Sequence, residues 1–295
     1  MSTYTRVRER RRRHTLYFLE WAARQRPVHL DTEIDMTRVQ EHRAEAREHG
    51  ARYSVVSYLL HATGRALARH PEANAVAATP WPAPLRAPRT VRFEGVTAKL
   101  ALDRPVGPDA ERTVLSALVP DLESADLSAI QEHVERYSGR YAAELPEFRK
   151  VLKLGTLPAP LGRALFAAAL RDPRRRPGIF GTVSVSSLGH RPVDGFHSAG
   201  GTAVTICAGQ VAERPVVRDG RVVPAPVMRL GLTFDHRVID GATAADLLSD
   251  LRRSLEDFHD GSRDSRGSGE GAVPADLRST DHDLGSPGGL APRPR

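Results

Sequence analysis

The stretch LGLTFDHRVIDGATAADLLSDLRRSLEDF, residues 230–258, decides the reading of the chain because it joins a strand to a helix through a short polar turn. Residues up to Asp235 are strand-like, and from Gly241 onward Leu247, Leu248, Leu251 and Leu255 recur along one helical face. His236 falls where strand gives way to helix, a position from which a side chain can face a cleft. Asp240 follows four residues later and Gly241 next, giving the pattern H-x3-D-G, with Gly241 expected to allow a tight turn into the helix.

A neutral imidazole at such a point takes a proton from an attacking thiol, hydroxyl or amine near pH 7, help worth about a hundred- to ten-thousand-fold in rate. The oxyanion that the attack creates needs a donor, for which a serine hydroxyl is suitable; losing one such donor costs about 3 kcal/mol. The H-x3-D-G string occurs twice, as HRPVDG at 190–195 and HRVIDG at 236–241. The first follows GTVSVSSLG and runs into Phe196, His197, Ser198 and Ala199 without a helix pattern, so its context is a loop between strands. The strand-to-helix setting favours His236 over His190, against the plain alternative that a single histidine is structural.

Working outward, VHLDTEIDMTRV at 28–39 alternates like a strand and runs into a helix over 37–49 that ends at Gly50. YSVVSYLLHATGRALARHP at 53–71 is a core helix with Ser54 as N-cap and Pro71 at the exit, and His61 and His70 are read as ordinary residues of its surface. Residues 1–26 read as a helix with a wet arginine face, 79–90 as a proline-rich loop, RFEGVTAKLAL as strand, and 123–145 as a helix. LGRALFAAALRD is helix-like; GTVSVSSL, AGGTAVTICAGQV and VMRLGLTFD are strands, with a hairpin turn around RDGR at 218–221. From about residue 260 the chain turns to Gly, Ser, Pro, Asp and Arg, a composition expected to stay disordered, so residues 1–259 are read as one domain and 260–295 as a tail.

A chain of 295 residues with 40% hydrophobic content can bury a real core. The formal charge of +7 is concentrated in RVRERRRRH at 6–14 and RDPRRRP at 171–177 rather than in a continuous stripe, and no aromatic residues are interleaved as stacking platforms, so nucleic-acid binding is not expected. The single Cys207, inside an apolar strand, is read as a small buried residue in a reducing compartment. No long apolar run or signal peptide is evident, and a cytoplasmic location is expected. There is no CxxC pair, no GxxxxGK[ST] loop and no GxSxG elbow, which removes the usual support for metal, nucleotide-phosphate or serine-hydrolase chemistry.

TFDHRVIDGATAADLLSDLRRSLEDF and GTVSVSSLG, supported by RPVHLDTEIDMTRV, SVVSYLLHATGRALARHPEANA and GVTAKLALDRP, resemble the catalytic domain of the dihydrolipoamide acyltransferases of 2-oxo acid dehydrogenase complexes, over residues 10 to about 258. The resemblance implies an α/β two-layer sandwich with a mixed sheet, like chloramphenicol acetyltransferase, and homotrimers with active-site channels between subunits. It implies acyl transfer between a coenzyme A thioester and a thiol, with His236 as general base, Asp240 as the acidic or amide partner of the motif and Ser186 as the hydroxyl for the tetrahedral intermediate. Ser187 is read as its structural neighbour. No metal is implied.

Three departures follow from the same comparison. The catalytic match begins almost at residue 1, so a lipoyl domain or acyl carrier protein is expected to act in trans. Residues 150–180 are longer and more basic than the family pattern, so Arg171, Arg174, Arg175 and Arg176 are read either as meeting the phosphates of coenzyme A or the acidic face of a carrier protein, or as a solvated charge run. HRPVDGFHSAGGTA replaces a more apolar stretch and leaves His190 and His197 as secondary candidates. Competing readings are a non-catalytic assembly protein of the same fold and acyl transfer to a hydroxyl or amine.

Overall fold

A computed structural model describes residues 12–78, 89–106, 111–139 and 145–259; the expectations for residues 1–11, the proline-rich loop and the C-terminal tail lie outside them. The chain begins with α1 (Arg13–Ala22), β1 (Pro27–Asp35), α2 (Thr37–Glu48) and α3 (Val55–Arg69). Ser54 caps α3, its hydroxyl accepting from the Ser57 backbone N–H at 3.1 Å. A short ribbon, β2 (Ala75–Ala78) with β3 (Arg89–Arg92), precedes the antiparallel pair β4 (Ala98–Val106) and β5 (Glu111–Val119). Four helices follow: α4 (Leu127–Ser138), α5 (Pro146–Thr156), α6 (Ala159–Arg171) and the short α7 (Arg176–Phe180). The chain then returns to the sheet as β6 (Val183–Ser187), β7 (Val204–Arg218) and β8 (Arg221–Asp235), and closes with α8 (Gly241–Glu256).

The six-stranded sheet runs in the order β1-β8-β7-β6-β4-β5, parallel where β6 meets β4 and β7 and antiparallel elsewhere, so it is mixed as the resemblance implied. β7 and β8 are joined by the expected turn, in which Asp219 and Gly220 both have positive φ as a two-residue hairpin of this hand requires. α8 packs on β1 and α3, burying Leu247, Leu248, Leu251 and Leu255 against the sheet face that carries Met228, Leu230, Leu232 and Phe234. Each such side chain contributes roughly 2 kcal/mol of burial.

Alternation along the same strands sends Ser184 and Ser186 of β6, Cys207 of β7 and Thr233 and Asp235 of β8 to the opposite face. Cys207 is buried, and burial pushes its thiol up to about 12, so it is an inert packing residue as expected. α1 and α7 bring Phe18 and Phe180 over this face, where Lys99 of β4 is enclosed with its ammonium 4.4 Å and 3.8 Å from the two ring centres. Its donor bond goes to the Gly200 carbonyl.

Several boundaries differ from expectation. The helix expected over 123–145 starts only at Leu127, because residues 121–125 turn first, with Asp121 at positive φ, and Asp126 supplies the cap; its expected part over 140–144 lies outside the described residues. On α1, Leu16 and Leu19 are exposed, whereas His14, Tyr17 and Ala22 are buried. Gly241 is the first residue of α8 without positive φ and with open space around it, so the tight turn expected of it is absent; Asp240 instead leads into the helix in extended conformation.

Burial, and then the Arg176 charge, lower the Lys99 ammonium to about 7 from 10.5. Between those values the unfolded chain holds a proton that the folded chain has released, so this residue makes stability rise with pH across that window. Thermal unfolding of the wild type and Lys99→Met from pH 6 to 10 is expected to show a wild-type gain from about pH 7 upward that the variant lacks.

Candidate active site

Everything at the C-terminal end of β8 is organised around Asp235, which is 3% exposed. Its Oδ1 accepts from the backbone N–H of Arg26 and of Arg237, both at 3.2 Å, and from Arg237 Nε at 2.9 Å; Oδ2 accepts from Arg237 Nη2 at 2.5 Å. Burial by itself would raise this carboxyl, but the Arg237 and backbone donors hold it below 3.8. The next residue, His236, donates its backbone N–H to the Arg26 carbonyl at 2.9 Å. The chain leaving β8 is thereby pinned to the segment entering β1.

His236 emerges half-exposed, its ring 5.5 Å from that of Phe234. Nδ1 stands 3.5 Å from Asp240 Oδ1, and Asp240 is free to make this contact because its carboxylate does not cap α8. A carboxylate beside one ring nitrogen favours the tautomer whose other nitrogen is a base. That arrangement is the one general-base chemistry asks for.

The other copy of the string is built differently. Asp194 bonds Arg214 at 2.6 Å and Gln210 at 2.9 Å, and the Val193 carbonyl accepts from the Gln210 backbone at 2.8 Å. These contacts clasp the loop to an irregularity in β7 at Ala208–Val211, where a Cβ on Gly209 would lie 1.9 Å from the Asp194 carbonyl oxygen. Among the described residues His190 and Asp194 are not paired. His197 lies against His29 with the rings tilted at 46° and 4.9 Å between centres, 3.9 Å from Asp31, on the polar face above Gly231.

Ser186 lies on β6 with no hydrogen-bond partner for its hydroxyl among the described residues, while the Ser187 hydroxyl accepts from the Gly189 backbone in the local turn. Within one chain Ser186 and His236 do not meet. Val183 is level with Phe234 through β7, and Ser186 is level with Gly231. His236 therefore lies about 17 Å from Ser186 along the strand direction at roughly 3.3 Å per residue, with a strand between them.

A cavity of about 640 Å³ begins at the residues flanking His236, Asp235 and Arg237, and extends under α1 and α6 past Trp21, Arg24, Arg171 and Arg176. Arg176 is 5% exposed, donates Nη2 to the Gly201 carbonyl at 2.9 Å and leaves its buried Nε without a partner. Burial, and then Arg237, lower its guanidinium to about 10, so it stays charged at neutral pH. Of the basic run, Arg176 is thus a buried residue, whereas Arg174 and Arg175 are exposed. Sequence reasoning saw the charge but had no signal for which arginine turns inward.

The fold is found in solved structures. A probable dihydrolipoamide acetyltransferase from Listeria monocytogenes matches with TM-score 0.61 and 14% identity, over 88% of this chain and 97% of that one. The cubic core of a pyruvate dehydrogenase multienzyme complex matches with TM-score 0.59 and 21% identity over 88% of this chain and 93% of that one, a likeness of fold. In sequence, residues 180–261, which include Ser186, His236 and Asp240, match the model of the 2-oxoacid dehydrogenases acyltransferase (catalytic domain). The dihydrolipoyllysine-residue acetyltransferase component of the pyruvate dehydrogenase complex of Bacillus subtilis is 55% identical over 49 residues, and its Staphylococcus aureus counterpart is 49% identical over 47. Those alignments cover 17% and 16% of this chain and 11% of each relative, so the matched segments are a small part of either protein.

Asp235→Asn is expected to lower stability by about 1.5–3 kcal/mol at neutral pH, the range for a hydrogen bond to a charged group. Because the carboxyl is held low in the fold, its contribution is present above 3.8 and is lost as pH falls through the folded-state value. Urea unfolding of both proteins at pH 7 and pH 3 checks this: the gap between them narrows at the lower pH.

Proposed function

We propose that the protein transfers an acyl group between a coenzyme A thioester and a thiol acceptor, a dihydrolipoyl group or a carrier-protein thiol, with His236 as the general base. The observation that carries this is the half-exposed His236 at a pinned strand end with Asp240 at 3.5 Å, inside the segment matched to the acyltransferase family. The imidazole takes the proton of the incoming thiol as its sulfur attacks the thioester carbonyl. The tetrahedral oxyanion takes a hydrogen bond from a serine hydroxyl, and collapse expels the second thiol, which leaves with the proton from the imidazolium.

Ser186 is the serine assigned to this step. Since it is about 17 Å from His236 along the strands of one chain, a second copy supplies it, in a homotrimer whose sites lie between subunits. The exposed Leu16 and Leu19 on α1 and Leu161 and Leu165 on α6, helices that pack together, give such an assembly apolar surface to cover. We place the protein in the cytoplasm, where a free Cys207 stays reduced.

The test is thiol acyl transfer from acetyl-, propionyl-, isobutyryl- and succinyl-coenzyme A to dihydrolipoamide, followed by mass spectrometry. His236→Ala is expected to lower kcat by about a hundred- to ten-thousand-fold and Ser186→Ala by about a hundredfold or more, each with an unchanged Tm. Refolding the two variants together is expected to restore part of the activity, since some mixed trimers hold an intact His236 facing an intact Ser186. Equal activity of His236→Ala and wild type removes this function, and failure of the mixture to recover removes the shared site.

A further inference from the structure

The arginine-lined cavity beside His236 has no role in the proton transfers. Arg24, Arg171, Arg176 and Arg237 line it against the single carboxylate of Asp235, which is already committed to Arg237. Among the described residues Arg24 and Arg171 have no carboxylate partner; Arg24 instead lies 5.1 Å over the Trp21 ring. The Arg176 guanidinium, 5.5 Å over the same ring and 5.8 Å over Phe180, is held out of water with its Nε unsatisfied.

A buried guanidinium with an unmade hydrogen bond is costly unless an anion completes it. From these observations we infer that the cavity is a receptor for a carboxylate carried by one of the transfer substrates. Arg24 and Arg171 supply donors that no carboxylate of the described residues engages, and the ring-lined setting around Arg176 suits a monoanion better than a doubly charged phosphate, whose desolvation costs more. Position argues the same way. The cavity starts at the two residues flanking His236, whereas the phosphates of a coenzyme whose sulfur reaches His236 stand at the far end of its pantetheine spacer. The carboxylate belongs either to the acyl group or to the acceptor, and calling its bearer a substrate rests on the acyl-transfer reading above.

Binding, not turnover, tests the site, so the whole 295-residue chain is used with His236→Ala, which leaves all four arginines in place. Trp21 fluorescence, in a Trp81→Phe background, is titrated with succinate, succinamide, inorganic phosphate, succinyl-coenzyme A and butyryl-coenzyme A. Succinate is expected to bind where succinamide does not, and at least tenfold more tightly than phosphate. Arg171→Ala is expected to weaken succinate at least tenfold while Arg174→Ala, outside the cavity, leaves it unchanged; Arg176→Lys keeps the charge but loses the fork and is expected to weaken it similarly. If Arg176→Lys does not fold, the Arg171→Ala result stands by itself. A tenfold preference for succinyl- over butyryl-coenzyme A that Arg171→Ala removes assigns the carboxylate to the acyl group; equal affinity for the two thioesters, with succinate still bound, assigns it to the acceptor. Phosphate binding as tightly as succinate, or succinate affinity unmoved by Arg171→Ala, overturns the inference and leaves the acyl-transfer reading to its own assay.

Discussion

The buried carboxylate of Asp235 is the constraint on which the arrangement of the site depends. A carboxylate with 3% exposure must be met by donors, and here they come from the Arg26 backbone and from the backbone and side chain of Arg237. Meeting them fixes the end of β8 against the start of β1, where Pro27 is already paired with Asp235 across the ladder. His236 then has one direction in which to leave the sheet, and the four residues to Asp240 return the chain to the ring before α8 begins. The same carboxylate engages Arg237 and so leaves Arg24, Arg171 and Arg176 as the cations of the adjoining cavity.

The two faces of the sheet divide the work. One face is apolar and is sealed by α3 and α8, which supplies the folding energy. The other carries the polar chemistry of the chain: Ser184 and Ser186, the enclosed Lys99, the His29–His197 pair and the buried Asp235. Because β6 and β8 run antiparallel with β7 between them, a residue at the C-terminal end of one lies far from a residue at the C-terminal end of the other. The separation of His236 from Ser186 is thus a property of strand direction, which no local side-chain movement removes.

The two H-x3-D-G strings show how far identical chemistry can diverge with its surroundings. At 190–195 the aspartate is drawn to Arg214 and Gln210 of β7, and the loop becomes a clasp; at 236–241 the aspartate stays near its own histidine. The strand-to-helix context that separated them in the sequence is the physical cause, since a helix start four residues on returns the chain toward the ring, whereas an irregular loop spreads it over the neighbouring strand.

What the sequence by itself determined was whatever a repeating pattern or a local cap encodes. The leucine stripe of α8, the Ser54 cap of α3, the Asp219–Gly220 hairpin and the buried strand around Cys207 were all legible because periodicity and backbone chemistry act over a few residues. α5 and β5 were not: α5 buries only Phe148, and β5 gave no distinct signal until β4 paired with it. Only the tertiary structure decided that Arg176, alone among the arginines of its run, is buried, that Lys99 is enclosed by Phe18 and Phe180, and that His236 and Ser186 lie apart. Those facts come from contacts between residues distant in the chain, whose burial depends on which strands become neighbours, and sequence spacing holds no record of that.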